Sequence, residues 1–254
     1  MRIILFTQED PFYLVESIQD LIKKIDSQGE NQIIQALITE PSVFGKKETF
    51  MEKALKTFKI FGFHFFIFYS IKFVLRKAIM RKSVFSVFVK NKIPVLNIKK
   101  SINSKQNVDL IKNLNADLIL IIAGNQIIKK NVLKSTKYGV FNVHSSLLPN
   151  YKGLLPSFWV LKNKENKTGV TLYQLTEGID DGPIISQKEI EIDSKTTQAK
   201  LIRELKIKTN DLIIETLHLI KNKKNYKVVK GGTYFKFPEK NDVLEFKKNK
   251  KRFY

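Results

Sequence analysis

Cysteine is absent from all 254 residues, which excludes disulfide frameworks, thiol catalysis and cysteine-held metals and fits a reducing compartment. Glycine-rich phosphate loops are missing as well. The first apolar run, "RIILF", is followed by "TQEDPFY" and not by Gly-x-Gly-x-x-Gly, and no Gly-Lys-Ser/Thr occurs. Dinucleotide binding and nucleoside triphosphate hydrolysis therefore lack their fingerprints. No apolar run approaches the roughly 20 residues of a spanning helix. The least interrupted stretch, Ile60–Ile71, has twelve and is bracketed by Lys59 and Lys72. The opening "MRIILFTQEDPFYL" meets Gln8, Glu9 and Asp10 too early for a signal peptide and reads as a first strand. A cytoplasmic location is expected, with peripheral contact at the inner membrane surface as its one elaboration. Negative charge is the scarce sign: 24 Asp and Glu face 45 Lys and Arg, for a net charge of +21. That balance suits nucleic acid, an anionic membrane surface or an acidic small molecule, and general lysine enrichment accounts for it equally well.

What is present is an alternation. Short apolar runs at Arg2–Phe6, Ile33–Ile38, Pro94–Ile98, Leu118–Ile122 and Val140–His144 are separated by helical patterns such as Tyr13–Ile25 and Val108–Leu114. This is the texture of a mostly parallel, Rossmann-like α/β sheet flanked by helices. Beyond residue 144, "TGVTLYQL" and "PIISQKEIEI" alternate like an antiparallel pair, and residues 196–222 read as one long amphipathic helix with Thr196 or Thr197 near its N-cap. Residues 1–222 are expected to form one domain, with a helical insertion at about 46–90, and residues 223–254 a short extension.

The insertion is unusual. Residues 58–90 hold nine of the nineteen phenylalanines among many lysines and arginines. Either it is a helix buried in the core or in a homodimer interface, or it lies on a membrane surface as a basic, aromatic amphipathic helix. His64 within it is expected to be a satisfied core or interface histidine. The C-terminal "KNDVLEFKKNKKRFY" is expected to be a solvated basic tail.

Of the three histidines, His64, His144 and His218, only His144 ends a predicted strand of such a sheet and precedes a loop. Asn142 lies two residues earlier, so the two side chains share one face. The next loop, "TEGIDDGPII", brackets Asp180 and Asp181 between Gly178 and Gly182. An amide to stabilise an oxyanion, an imidazole to move protons and a carboxylate to orient it make an acyl-transfer set. Taken singly, each residue has a plainer reading: a turn asparagine, a satisfied histidine, an Asp-Asp-Gly turn. One histidine beside two adjacent aspartates lacks metal-ligand spacing, and no metal is expected.

"NVHSSLLPNYKG" followed by "GVTLYQLTEGIDDGPII" resembles the folate-dependent formyltransferases, which include glycinamide ribonucleotide, methionyl-tRNA and amino-sugar N-formyltransferases. The shared pattern is Asn-x-His-x-Ser-Leu-Leu-Pro-x-x-x-Gly, then Gly-x-Thr, then Asp-x-Gly-x-Ile. The resemblance is firm over residues 115–190. It implies a formyltransferase-type fold, 10-formyltetrahydrofolate as co-substrate, and Asn142, His144 and Asp180 as the catalytic residues, Asp181 filling a variable position. In the implied mechanism an uncharged amine attacks the formyl carbon. Asn142 and protonated His144 stabilise the oxyanion, while Asp180 holds His144 and assists proton transfer. The resemblance also assigns the pterin-embracing loop to Gly124, Asn125, Gln126 and Ile127, together with Asp180. Asn125 and Gln126 stand where larger apolar residues are usual.

The acceptor is narrowed by what surrounds these motifs. "GGTYFKF" resembles the linker to the C-terminal barrel of methionyl-tRNA formyltransferases, yet about twenty residues follow Thr233, too few for that barrel. Nucleic acid is therefore not expected as a partner. Glycinamide ribonucleotide formyltransferase lacks a Phe-rich insertion and begins with a phosphate cradle that "FTQEDPFY" does not supply. The expected acceptor is an anionic amino-sugar derivative, nucleotide- or lipid-linked, for cell-surface glycan synthesis. Methionyl-tRNA and glycinamide ribonucleotide are the alternatives, and a catalytically silent folate-binding relative is the reading from another class.

Overall fold

β1 (Arg2–Gln8) is covered on both faces. Ile3 and Leu5 enter one core, Ile4 and Phe6 the other, and all four are buried. The computed structural model describes residues 1–41, 48–222 and 226–254. α1 (Leu14–Gln28) follows because Leu14, Ile18, Leu21, Ile22 and Ile25 recur at helical spacing and are buried. It stops at Gly29, whose φ of +69° lets its N–H reach the Asp26 carbonyl. Next come β2 (Gln32–Thr39), α2 (Phe50–Phe61), α3 (Phe63–Phe73), a π-helical turn (Val74–Ile79), α4 (Val84–Lys90) and β3 (Val95–Asn97). α5 (Lys105–Asn113), β4 (Leu118–Ile122), α6 (Lys130–Leu133) and β5 (Val140–His144) complete the parallel half. The remainder is β6 (Lys152–Gly153), α7 (Pro156–Lys162), β7 (Lys167–Gln174), β8 (Ile184–Glu191), α8 (Gln198–Lys221), β9 (Tyr234–Phe235) and α9 (Lys240–Lys248).

The main sheet runs β3-β2-β1-β4-β5-β7-β8. Its first five strands are parallel, and β7 and β8 are added antiparallel beyond β5. The alternation of apolar runs and helices thus builds the mostly parallel, helix-flanked sheet expected of it. The winding direction reverses between β1 and β4, which opens a crevice at the carboxyl ends of these strands, the usual ligand position in such sheets. One core lies beneath α1, α7 and α8, and the other beneath α5 and α6. Thr197, not Thr196, caps α8, its hydroxyl accepting from the Lys200 N–H.

Two expectations need correction. The C-terminal segment is not a solvated tail. Val243 and Phe246 of α9, three residues apart on one face, are buried with Phe253 in the main core. Phe246 stacks on Phe158 and Phe253 at 5.0 and 4.5 Å. Lysines occupy the outward positions, so a basic composition concealed a short amphipathic helix. The Phe-rich insertion, for which burial and a surface position were both open, has one side of each kind. Phe61 is buried and stacks on Phe65, which meets Phe253 edge-on, whereas Phe50, Phe58, Phe63 and Phe68 face solvent. His64 is exposed beside Phe63 rather than satisfied in the core. The insertion boundary at about residue 46 falls outside the described residues, as do residues 223–225 at the start of the expected extension.

Candidate active site

β5 delivers the site. Phe141 and Val143 enter the α1–α8 core and Val140 the opposite one, so Asn142 and His144 share the face of Val140. β7 lies antiparallel alongside, and its register sets Tyr173 opposite Asn142 and Thr171 opposite His144. Tyr173 accepts from Asn142 Nδ2 at 2.9 Å and donates to Asp180 Oδ1 at 2.6 Å. Burial, then the adjacent Asp180 carboxylate, pushes the Tyr173 hydroxyl well above its ordinary pKa, so it stays protonated and donates. The Gly153 N–H donates to Asp180 Oδ2 at 2.8 Å, and His144 Nδ1 lies 3.6 Å from that same oxygen. Asn142, His144 and Asp180, 38 residues apart in the chain at their extremes, thus converge. Asp181 points elsewhere and accepts from the Thr176 hydroxyl within the turn.

Backbone geometry makes this convergence depend on glycine. A Cβ on Gly182 would stand 1.8 Å from the Gln174 carbonyl oxygen, so only glycine lets the Asp180 loop fold back against β7. At Gly153, φ is +95° and a Cβ would lie 2.2 Å from the Phe235 carbonyl oxygen. This close approach is the β6–β9 bridge, which carries the segment resembling a linker onto the site. Thr233 accepts from the Tyr151 N–H through its hydroxyl and from the Lys152 N–H through its carbonyl. The Tyr151 carbonyl, so positioned, accepts from His144 Nε2 at 2.8 Å. A carbonyl can only accept, so Nε2 carries hydrogen and Nδ1, toward Asp180, is the nitrogen that gains or loses a proton.

The loop after His144 is held equally firmly. Thr171 Oγ1 donates to the Ser146 carbonyl and accepts from the Leu148 N–H, and Gln187 Nε2 reaches both Thr171 Oγ1 and the Leu148 carbonyl. Tyr173 is the residue that sequence reasoning missed. Its signal was available, since alternation along "GVTLYQL" sets Gly169, Thr171 and Tyr173 on one face. The partner strand and register were not.

The crevice loop after β4 is a different construction. Asn125 is buried; its carbonyl oxygen accepts from the Thr39 hydroxyl at 2.7 Å, and its amide donates to Gln8 and to the Glu40 carbonyl. Gln126 accepts from the Ile102 N–H and donates to the Lys100 carbonyl. Both side chains therefore brace the ends of β1, β2 and β3. Gly124 and Ile127 are exposed, leaving main chain and one apolar side chain for a ligand in the crevice. Among the described residues no group of three or more His, Asp or Glu is placed to hold a metal.

A Rossmann-like sheet that gathers an amide, an imidazole and a carboxylate near one strand's carboxyl end holds the kinds of group that acyl transfer uses. The formyl transferase family profile matches residues 70–217, and the chain belongs to that family. A methionyl-tRNA formyltransferase of Clostridioides difficile is 40% identical over 132 residues, 52% of this chain and 42% of that protein. The chain spans half or less of the length of such curated relatives. Among solved structures, phosphoribosylglycinamide formyltransferase from Bacillus halodurans superposes with a TM-score of 0.62 at 20% identity, covering 89% of this chain and 97% of that one. The N-formyltransferase from Helicobacter canadensis, solved with folinic acid and dTDP-3-aminofucose, superposes with a TM-score of 0.56 at 20% identity over 92% of this chain and 70% of that one. At such identities the two structures share the fold.

Proposed function

We propose that the protein transfers a formyl group from 10-formyltetrahydrofolate to the primary amine of an amino sugar. The observation that carries this is the convergence of Asn142, His144 and Asp180 around Tyr173 at the end of β5. The donor set suits the folate: a neutral amide and an imidazole for the formyl oxygen, with exposed main chain at Gly124 and the Ile127 side chain for a flat heterocycle. The folate supplies the formyl carbon, and Gly124–Ile127 with Asp180 would hold it.

The residues divide the work. Asn142 is half-buried and spends one of its two amide hydrogens on Tyr173, so the other remains to donate to an oxygen that gathers negative charge. His144, fixed by the Tyr151 carbonyl, presents Nδ1 as the proton-carrying atom. Asp180 faces Nδ1 at 3.6 Å and is placed to accept the proton that an attacking amine must lose. Tyr173 holds Asn142 and Asp180 in a common frame.

The amino-sugar acceptor is supported by the fold shared with an enzyme solved with dTDP-3-aminofucose, and by a net charge of +21 that favours an anionic acceptor. A methionyl-tRNA acceptor is the second reading, favoured by the 40% identity to such an enzyme. The deciding experiment incubates the protein with 10-formyltetrahydrofolate and, in turn, nucleotide-linked amino sugars, lipid-linked amino sugars, glycinamide ribonucleotide and methionyl-tRNA. Tetrahydrofolate should form stoichiometrically with an N-formyl amino sugar. Turnover with methionyl-tRNA alone would overturn the acceptor, and turnover with no amine would overturn formyl transfer.

A further inference from the structure

From Lys53 to Val108 the chain holds thirteen lysines and arginines and no aspartate or glutamate. This stretch leaves the sheet after β2, at the carboxyl edge that also carries the candidate site. Some of its cations are neutralised from outside. Arg76 and Lys82 share Glu16 of α1, at 2.5 and 2.7 Å, and Lys56 meets Glu48 at 3.1 Å. Lys53, Lys59, Lys77, Arg81 and Lys90 have no carboxylate within 4 Å among the described residues.

Apolar side chains run between these cations. Phe63, Ile67, Ile71, Leu75 and Ile79 recur every fourth residue along α3 and the π turn, and they are 60, 38, 57, 47 and 66% exposed. In an α-helix a strict four-residue ridge drifts around the cylinder. The π turn, closed by the bond from the Met80 N–H to the Leu75 carbonyl, turns less per residue and returns the ridge toward one side. The opposite side is anchored, with Phe65 against Phe61 and Phe253, and Arg76 bonded to Glu16 and the Pro11 carbonyl. The insertion is thus a braced element with one apolar face outward, in a stretch of chain rich in lysine and arginine.

We infer that this face docks on an anionic lipid bilayer, with Phe63, Ile67, Ile71, Leu75 and Ile79 entering the acyl boundary and the surrounding lysines and arginines meeting lipid phosphates. Charge selects this occupant. A second copy seated on the same patch would set two surfaces with an excess of unpaired lysine and arginine against each other, at a cost in like-charge contact. A nucleic acid would satisfy the cations but leave the isoleucine and leucine ridge without hydrocarbon. A bilayer surface satisfies both. No helix among the described residues is long and apolar enough to cross a membrane, so the contact is peripheral.

Cosedimentation of the full chain with phosphatidylcholine vesicles, with and without about one-third phosphatidylglycerol, tests this at about 0.1 M and about 0.5 M salt. The chain should partition at least tenfold more strongly onto the anionic vesicles, and higher salt should release it. The triple substitution Ile71→Asn, Leu75→Asn, Ile79→Asn should lower partition at least tenfold with an unchanged unfolding midpoint, because all three side chains already face solvent. Lys59→Glu with Lys77→Glu should remove the preference for anionic lipid. No binding at low salt, or equal binding by the triple variant, would overturn the inference. So would a wild-type dimer that the triple variant converts to monomer in sedimentation equilibrium, or an RNA probe that the wild type binds while ignoring vesicles. Vesicle binding is read without folate or amine, so its failure is distinct from a failure of formyl transfer.

Discussion

Replacing Tyr173 by phenylalanine removes one oxygen atom and leaves the ring volume of a buried side chain almost unchanged. Two hydrogen bonds go with it: the 2.6 Å bond to Asp180 and the 2.9 Å bond from Asn142. A bond to a charged group contributes about 1.5–3 kcal/mol and a neutral one about 1 kcal/mol. Neither partner is stranded, since Asp180 keeps the Gly153 N–H and Asn142 is only half-buried. Folding stability should therefore fall by about 2.5–4 kcal/mol, with no added desolvation penalty, at about 2–4 °C of melting temperature for each kcal/mol in a chain of this size. Catalysis should fall by about tenfold to a hundredfold in kcat, since about 1.4 kcal/mol of lost transition-state contact is tenfold. The assay is tetrahydrofolate release with a saturating amine, separating kcat from KM. Because Tyr173 acts through both Asn142 and Asp180, Tyr173→Phe should cost less activity in an Asn142→Ala background than in the wild type, the remainder being its hold on Asp180. A variant with lowered melting temperature but wild-type kcat would refute the positioning role.

Asp180→Asn keeps the side chain's shape but sets an amide against the Gly153 N–H or the Tyr173 hydroxyl, and it removes the carboxylate facing His144 Nδ1. Activity should fall by about 10²–10⁴-fold with native circular dichroism, and retained activity would sink the proton role. Phe246→Ala empties a fully buried site between Phe158 and Phe253 and should cost about 3–5 kcal/mol in denaturant unfolding. A loss under about 1 kcal/mol would mean that α9 does not unfold with the main core. Burial works to raise the Glu16 carboxyl, but hydrogen bonds from Arg76 and Lys82 outweigh it and hold it down at about 2. A depressed carboxylate stabilises the fold above its ordinary pKa of 4.5, and that stability is lost as pH falls from there toward about 2. Wild type should lose stability across that window while Glu16→Gln, already without the ion pairs, changes less; parallel pH profiles would remove Glu16 as a lock on the insertion.

Much of the architecture was legible because periodicity is local. Strand and helix patterns need only neighbours along the chain, and β1, β4, β5 and α8 lie close to their expected places. The errors came where composition was read without partners. The lysine-rich C-terminus looked solvated because Val243, Phe246 and Phe253 are few, and their value depends on Phe158, which lies far off in the chain. The Phe-rich segment could not be divided into an anchored and an exposed side until Phe253 and Glu16 were placed against it.

The sequence by itself determined the chemistry on offer: an amide and an imidazole two residues apart on one strand, followed by a glycine-bracketed carboxylate. Side-chain alternation and glycine geometry are local rules, so this set of groups was visible before any contact was known, but each had a plainer reading and it was the resemblance to the formyltransferases that singled out Asn142, His144 and Asp180. Tertiary structure alone decided how they are used. The β5–β7 register put Tyr173 between Asn142 and Asp180, and the β6–β9 bridge brought Thr233 to the Tyr151 backbone and the Tyr151 carbonyl to His144. Strand register and loop closure over some 80 residues arise from packing among distant segments, and a pattern read along the chain carries no record of them.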